Sequence, residues 1–151
     1  MKPVNLIVCI SVFLMVSCFS NKKVTEIDYS LLEHEYKFAD DSNTFIIRDA
    51  GDLAKFAGSI SPEVDLNKKT VLGFRGTASG CSPPVIEIKV LRDDLNKKYL
   101  VDAVVYEEGF CKKLFFYRKV LTTDKIKKNY RVEFRTKNIP QDKSSFWEHS
   151  K

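Results

Sequence analysis

The chain has few of the side chains on which hydrolytic and acid–base enzymes depend. It contains only two histidines among 151 residues, and both His34 and His149 lie in polar surroundings near the ends of the sequence. It has no glycine-rich phosphate loop and no Gly-x-Ser-x-Gly motif. Catalysis by proton transfer needs positioned titrating groups within hydrogen-bond reach. The sequence therefore predicts a protein that is not an enzyme, with no catalytic residue, metal site or cofactor.

The N-terminus lacks charge apart from Lys2, and it has the pattern of a signal peptide. Lys2 provides the positive region, and a mostly apolar run follows from Val4 to Val16. This run is shorter than the roughly 20 residues that a membrane-spanning helix needs. It ends at Ser17, a small residue of the kind that precedes a cleavage site, and Cys18 comes next. We expect residues 1–17 to be removed.

The residues Met15-Val16-Ser17-Cys18 resemble the lipobox of bacterial lipoproteins, with Met15 at a position where leucine is commoner. In that family the cysteine thiol is alkylated with diacylglycerol and becomes the first residue of the mature protein. The resemblance implies lipid attachment at Cys18, with palmitate-type acyl chains that anchor the protein to a membrane of the cell envelope, facing the periplasm or the exterior. The alternatives are an ordinary secretory signal cleaved nearby and an uncleaved N-terminal helix.

Cysteine is scarce in the rest of the chain, where only Cys81 and Cys111 remain. In an oxidising compartment, an even pair of cysteines in a small exported domain indicates a disulfide. Two free thiols or a metal-binding pair are the alternatives. A zinc site would need four ligands. We therefore predict a Cys81–Cys111 disulfide and no metal.

Hydrophobic periodicity predicts an α+β domain that is mainly antiparallel β structure. The apolar residues of the segment 50–60 recur at helical spacing, and Asp49 is in place to cap the helix. The segment from Thr70 to Thr136 consists of predicted strands and turns, with a Gly, Ser and Pro loop at 76–84. Successive strands joined by turns favour antiparallel neighbours. We expect five or six strands in a small sheet or sandwich, closed by one short helix.

The predicted organisation follows from these boundaries. The signal peptide, 1–17, precedes a tether at 18–43 that includes a short structured piece, and the β-rich globular domain occupies 44–137. The last segment, 138–151, has the composition of a flexible tail.

Four short motifs occur in order between Phe45 and Leu91. They are the strand FIIRD, the helix DLAKF, the phrase from Val64 to Leu72, and the turn at Gly76-Thr77. Together they resemble the small β-rich domain of exported bacterial proteins that is named for protease complex subunits of the PrcB type. Leu66 stands where that family usually has Phe, and Gly80-Cys81 stands where it has paired glycines. The resemblance implies a non-catalytic accessory or binding module, and it transfers no functional residue.

Positive charge is concentrated in the C-terminal third. From Lys112 to the end the sequence has twelve Lys and Arg against four Asp and Glu. Clustered cations attract nucleic acid, anionic glycans and lipid headgroups. The alternative is a solvated face whose charges protect an edge strand. The candidate anion-binding residues are Lys125, Lys127, Lys128, Arg131 and Arg135.

A row of aromatic residues, Phe115-Phe116-Tyr117, comes shortly after Phe110. Alternation along a strand places Phe115 and Tyr117 on the face opposite Phe116. We expect a strand that is buried on both sides in a sandwich, and the alternative is an exposed patch for a protein partner.

Together these features predict a membrane-anchored, non-catalytic envelope lipoprotein that acts as a binding or accessory protein. Its partners would be the membrane, through the lipid, and another protein of the envelope. The alternative is a surface protein that binds polyanions through the basic C-terminal strands, although nucleic acid is not the expected ligand.

Overall fold

The structure is a computed structural model that describes residues 24–32, 42–55 and 64–141. Eight strands and one helix lie in these ranges. In chain order they are β1 (Val24–Glu26), β2 (Tyr29–Leu31), β3 (Thr44–Ile47), α1 (Ala50–Lys55), β4 (Lys69–Gly80), β5 (Val85–Asp93), β6 (Lys98–Glu108), β7 (Lys113–Asp124) and β8 (Arg131–Gln141).

The strands form two four-stranded sheets. One sheet has the order β1-β5-β6-β8 and the other has the order β2-β7-β4-β3. The pairing is mainly antiparallel, as predicted, and the helix has only six residues. A β-sandwich with one short helix therefore describes the fold better than the α+β class that the sequence indicated.

The main core lies between the two sheets because each sheet turns its alternate apolar residues toward the other. Leu72, Phe74 and Leu121 come from one sheet, and Val90 and Val101 come from the other. The predicted alternation on β5 is confirmed, since Ile88 and Val90 are buried while Glu87 and Lys89 are exposed. Burial of side chains of this size contributes about 1.5 to 3 kcal/mol each.

A second, smaller core covers one half of the outer face of the β4–β7 pair. It is built from Phe45, Ile47, Val71 and Val120, and Leu53 of α1 packs against it. The helix begins where the sequence predicted, because Asp49 Oδ1 accepts a hydrogen bond from the backbone N–H of Asp52 at 3.0 Å. This small core ends near Gly73 and Val120. The other half of that outer face is formed by the residues after Gly73 on β4 and by their partners before Val120 on β7.

Gly73 permits the close packing in this smaller core. A Cβ atom at this position would lie 2.0 Å from the Phe45 ring, so the ring rests directly on the backbone of β4. Only glycine leaves that space, and the ring position in turn fixes β3 against β4.

One pairing contradicts the expectation of antiparallel neighbours. β6 and β8 are parallel, with Lys98 opposite Arg131 and Asp102 opposite Arg135. The intervening strand β7 belongs to the other sheet, so the chain crosses from one sheet to the other and back before it pairs again. The turns in the sequence indicate where the chain reverses direction, but they do not indicate to which sheet each strand belongs.

Several predicted boundaries also differ. β4 continues to Gly80, through residues that were expected to form the loop 76–84, and β8 continues to Gln141, beyond the domain boundary placed at residue 137. β8 tolerates Pro140 because it is an edge strand. β1 lies in the segment 18–43 that was expected to be a tether, whereas β2 lies in the short structured piece expected there around Ile27 to Phe38. The described residues contain eight strands instead of five or six.

Candidate functional site

The predicted lysines of the anion site lie in the connection between β7 and β8, where two of them already have partners. The Lys125 ammonium donates hydrogen bonds to the backbone carbonyls of Arg48 and Leu66. Lys128 forms an ion pair with Asp49 at 3.2 Å. The pKa of Asp49 is lowered, first by the hydrogen bond from the N–H of Asp52 and then by Lys128. Both lysines thus join the connection to the segment around α1.

The predicted arginines lie on β8, and each is paired with a carboxylate. Arg131 Nε is 3.1 Å from Glu133 Oε1. Arg135 makes a two-pronged contact with Asp102, with Nε to Oδ1 at 2.8 Å and Nη2 to Oδ2 at 2.6 Å. This contact lowers the pKa of the Asp102 carboxyl below its ordinary value. Four of the five candidate cations therefore have a partner, and Lys127 is an exposed lysine beside them.

The predicted disulfide between Cys81 and Cys111 is present, with a Cα–Cα distance of 4.8 Å. Cys81 lies between β4 and β5, and Cys111 lies between β6 and β7, so the bond joins two connections that run between the sheets at one end of the sandwich. We call this the disulfide end. Gly109 has a positive φ of 75°, and a Cβ there would lie 2.7 Å from Cys81 Sγ. Glycine at this position therefore lets the chain turn beside the bond.

The half of the β4–β7 outer face that lies beyond the smaller core carries an unusual group of side chains. We call it the Arg–Phe face. Its members are Arg75, Thr77 and Ser79 of β4, which lie opposite Arg118, Phe116 and Leu114 of β7 respectively.

The Arg–Phe face exposes large apolar side chains to solvent. Phe116 is 83% exposed and Leu114 is 62% exposed, while Phe115 and Tyr117 point to the other side and are half-buried. The predicted alternation of the aromatic row is therefore confirmed. The expectation that β7 is buried on both sides is wrong at Phe116, because no described residue packs over this end of the sheet.

Two arginines lie directly opposite each other on the Arg–Phe face. Arg75 and Arg118 are cross-strand partners, and like charges in such a position destabilise a sheet. Asn43 braces Arg75, since its carbonyl accepts from the Arg75 N–H at 2.9 Å and its Oδ1 accepts from Nε at 3.4 Å. A cavity of about 410 Å³ opens between these three residues, Thr77 and Phe116. The lining of the cavity therefore combines charged, polar and aromatic side chains.

A hydrogen-bond network holds the β4 side of the Arg–Phe face in place. Glu107 Oε1 accepts from the Ser79 N–H at 3.0 Å and from Asn138 Nδ2 at 2.7 Å. Asn138 Nδ2 also donates to the Thr77 carbonyl at 3.2 Å. The hydrogen bond from Ser79 is the main reason that the pKa of Glu107 is lowered. β3 pairs only with β4 residues 71–74. Farther along this edge of β4, the side chains of Glu107 and Asn138 bind the backbone groups that a neighbouring strand would otherwise bind.

Sequence reasoning missed the Arg75–Arg118 pair for a physical reason. The two arginines are far apart in the sequence, and only the register of β4 against β7 brings them together. Arg75 directly precedes the predicted loop 76–84, so the sequence indicates no cross-strand partner for it. The one available signal was the alternation Leu114, Phe116, Arg118 within a predicted strand.

Other predicted features lie outside the described residues. These are the lipid-attachment residue Cys18 and both histidines, His34 and His149. Within residues 24–32, 42–55 and 64–141, no cluster of three His, Cys, Asp or Glu could hold a metal ion, and the helix is too short to cross a membrane. No protein-family model, curated protein or solved structure matches the chain.

Proposed function

We propose that the protein is a lipid-anchored, non-catalytic component of the cell envelope that binds another envelope protein. The lipobox-like sequence ending at Cys18 supports the anchor. The observation that carries the binding function is the exposed Arg–Phe face, on which Phe116 is 83% exposed and Leu114 is 62% exposed.

The exposure of Phe116 and Leu114 is not the ordinary scatter of single apolar residues on a surface. They are alternate residues of β7, which pairs with β4 along its whole length, and so they point the same way from a rigid support. Phe110, which is next to Cys111 in the sequence at the disulfide end, is 85% exposed. Neighbouring exposed apolar residues mark sites of protein association.

An anchor at Cys18 would leave the Arg–Phe face accessible. Val24, the first described residue, lies opposite Asp93, at the end of the sandwich away from the disulfide. The six-residue step from Cys18 to Val24 spans at most about 20 Å. Tyr29 of β2 pairs with Thr123 of β7. Phe116 lies seven residues along β7 from Thr123, a distance of about 23 Å at the rise of a strand. We therefore expect the lipid to hold the opposite end near the bilayer and the disulfide end to face the aqueous side.

The anchor is tested by replacing Cys18 with serine in the full-length protein and expressing it in a bacterial host. We expect Cys18→Ser to abolish incorporation of labelled palmitate and partition into the detergent phase. The matched control is Cys9→Ser, which alters a thiol inside the apolar run and leaves the lipobox intact. Unchanged labelling of the Cys18→Ser protein would overturn the anchor.

The binding function is tested by photo-crosslinking in cells. A photoreactive phenylalanine analogue is placed at position 116, and in a matched control at Leu95, which is 66% exposed at the opposite end of the sandwich. We expect a discrete protein adduct from position 116 and none from position 95. Identical patterns from both positions, or no adduct from position 116, would contradict the function.

The polyanion alternative predicts a different result. Substituting Lys127 and Arg131 with glutamine would then weaken retention on a sulfated polysaccharide column, and Phe116→Ser would have no effect. Because four of the five candidate cations are already paired within the domain, we expect little change from these two substitutions.

A further inference from the structure

We infer that Phe110 is an anchor residue of the interface with the envelope partner, and that the Cys81–Cys111 disulfide holds it in position to enter an apolar pocket with an acidic rim. This inference rests on the proposed binding function, and it adds a contact residue and the chemistry of the partner's surface. Three features of the disulfide end carry it: the exposure of Phe110, the fixed backbone on either side of it, and the two lysines that follow Cys111.

The Phe110 side chain lies largely in solvent. It is 85% exposed, which is the largest fraction among the exposed large hydrophobic residues that the structure describes. Neither hydrophobic core of the described residues includes it. Aromatic side chains are enriched in protein interfaces relative to the rest of the protein surface. The Phe110 ring is therefore placed for a contact with another molecule.

Cys81 holds the backbone on both sides of Phe110. On one side, the Cys81 N–H donates a hydrogen bond to the Glu108 carbonyl at 2.6 Å, and Gly109 packs so closely that a Cβ would lie 2.7 Å from the Cys81 sulfur. On the other side, Cys111 is joined to Cys81 by the disulfide. Phe110 therefore lies in a small loop that is closed by one hydrogen bond and one covalent bond. We call it the Phe110 loop.

Two further features fix the Phe110 loop. The Ser82 hydroxyl donates a hydrogen bond to the Glu108 carboxylate. Gly109 has a positive φ of 75°, a conformation that glycine adopts without steric cost. A side chain on a backbone that is ordered before binding loses less conformational entropy when the complex forms, so rigid presentation raises affinity. The disulfide thus contributes to recognition as well as to stability.

The side chains next to the Phe110 loop favour a partner of negative charge. Lys112 and Lys113 come directly after it and are exposed. The Lys113 ammonium lies 4.8 Å from the centroid of the Phe115 ring, which is a cation–π contact. Charged groups at an interface steer association toward a surface of opposite charge. An apolar pocket with carboxylates at its rim therefore complements Phe110 and the two lysines together.

One partner can contact Phe110 and the Arg–Phe face at the same time. Lys113 is paired with Gly80 at the end of the β4–β7 ladder, and Leu114 follows it. Phe110 and Leu114 are four residues apart, so their Cα atoms lie within about 14 Å of each other. An interface of standard size covers about 800 Å² of each partner, which is about 30 Å across.

A second copy of the chain and a membrane surface fit the Phe110 loop less well. Symmetric pairing of two such loops would bring Lys112 and Lys113 of both copies together, and like charges repel. The lipid proposed at Cys18 holds the opposite end of the sandwich near the bilayer. The disulfide end then faces the aqueous side, where it meets a protein.

The contact is tested by photo-crosslinking of the full-length protein in cells. A photoreactive phenylalanine analogue at position 110 should give the same protein adduct as one at position 116, as identified by mass spectrometry. With the analogue kept at position 116, we expect Phe110→Ser to lower the adduct yield about tenfold, because truncation of an anchor residue weakens binding by that factor or more. The matched control Leu95→Ser changes a residue that is 66% exposed at the opposite end, and it should leave the yield unchanged.

The charge and the loop are tested with the same readout. Lys112→Glu should lower the yield of the position-116 adduct, whereas Lys127→Glu, which changes an exposed lysine at the opposite end, should not. Cys81→Ser/Cys111→Ser opens the Phe110 loop. Insertion of one glycine between Gly109 and Phe110 enlarges the loop and keeps both cysteines, so it tests the presentation of Phe110 without loss of the cross-link. Both variants should lower the yield while circular dichroism shows that they are folded.

Other results would overturn the inference. Unchanged yield after Phe110→Ser, with the position-116 adduct still present, would refute the contact and leave the proposed function standing. Unchanged yield in the folded insertion variant would show that the Phe110 loop does not present the ring, and equal yields from Lys112→Glu and Lys127→Glu would show that charge is not recognised. A phospholipid adduct from position 110 would identify a membrane surface, and an adduct between two copies would identify self-association. No adduct from either position would contradict the inference and the proposed function together.

Discussion

The Cys81–Cys111 disulfide closes a loop with a sequence separation of 30 residues, and its removal gives the most quantitative prediction. In the chain-entropy model, a cross-link that closes a loop of this length lowers the entropy of the unfolded chain enough to stabilise the fold by about 3.6 kcal/mol at 25 °C. Both cysteines are exposed, so their replacement by serine leaves neither a cavity nor a buried unpaired group. The double variant therefore isolates the effect of the cross-link.

The perturbation is the variant Cys81→Ser/Cys111→Ser, and the assay is urea unfolding followed by far-ultraviolet circular dichroism. With a denaturant slope of about 2 kcal/mol/M, the expected loss moves the midpoint down by about 2 M. The melting temperature should fall by about 10 °C or more. Wild-type protein unfolded in the presence of dithiothreitol is the control, and it should match the double variant.

Two results would refute this reasoning. A loss of less than about 1 kcal/mol at an unchanged slope would show that the disulfide does not limit the unfolded chain to the degree that its loop length implies. A reduced wild type that is far less stable than the double variant would show that the free thiols themselves perturb the disulfide end. A change in the slope alone would place the effect in the compactness of the denatured state.

Two further predictions concern a buried hydroxyl group and an ion pair near the surface. Thr70→Val removes the hydroxyl that accepts a hydrogen bond from the buried Ile126 N–H at 2.9 Å, so urea unfolding should show that the free energy of unfolding falls by about 1 to 3 kcal/mol. Thr123→Val should lower it by less, because the Thr123 hydroxyl makes a longer contact of 3.4 Å with the Asp28 carbonyl. Arg135 lowers the pKa of Asp102, so the pair stabilises the fold above the ordinary carboxyl pKa, and this stability is lost as pH falls through the lowered value. Arg135→Gln should therefore make the free energy of unfolding depend less steeply on pH in the acid range. An unchanged dependence on pH would contradict the stabilising role of the pair.

Local features of the fold were predictable from the sequence because they depend on neighbouring residues. The period of two at Ile86, Ile88 and Val90 identified the buried face of β5, and Asp49 identified the start of the helix. The disulfide followed from an even number of cysteines in the predicted mature chain. Each of these predictions needs information from only a short segment or from a count.

Features that depend on tertiary contacts were not predictable in this way. The residues 76–80 contain two glycines and two small polar residues, a composition typical of a loop, yet they extend β4. Gly76 belongs there because a Cβ would lie 2.4 Å from the hydroxyl of Tyr117, its partner across the ladder. The glycine is thus chosen for the bulk of a residue on another strand, which no local pattern reveals. The parallel pairing of β6 with β8 depends in the same way on which sheet receives β7.

The same distinction explains why the sequence indicated one basic region and the structure indicates another. The sequence has a high density of cations at residues 125–135, but the parallel register places Asp102 opposite Arg135, and the two form an ion pair. Lys98 lies opposite Arg131, and both form ion pairs with Glu133. Opposite charges therefore meet across β6 and β8.

On β4 and β7 the register has the reverse effect, because it places Arg75 opposite Arg118 with only Thr, Ser, Phe and Leu on the rest of the face. A strand pair with like charges directly opposite is less stable than one with opposite charges. The charge on the surface of a sheet is thus set by the pairing of its strands, and the exposed side chains of Phe116 and Leu114 make the Arg–Phe face the candidate for recognition.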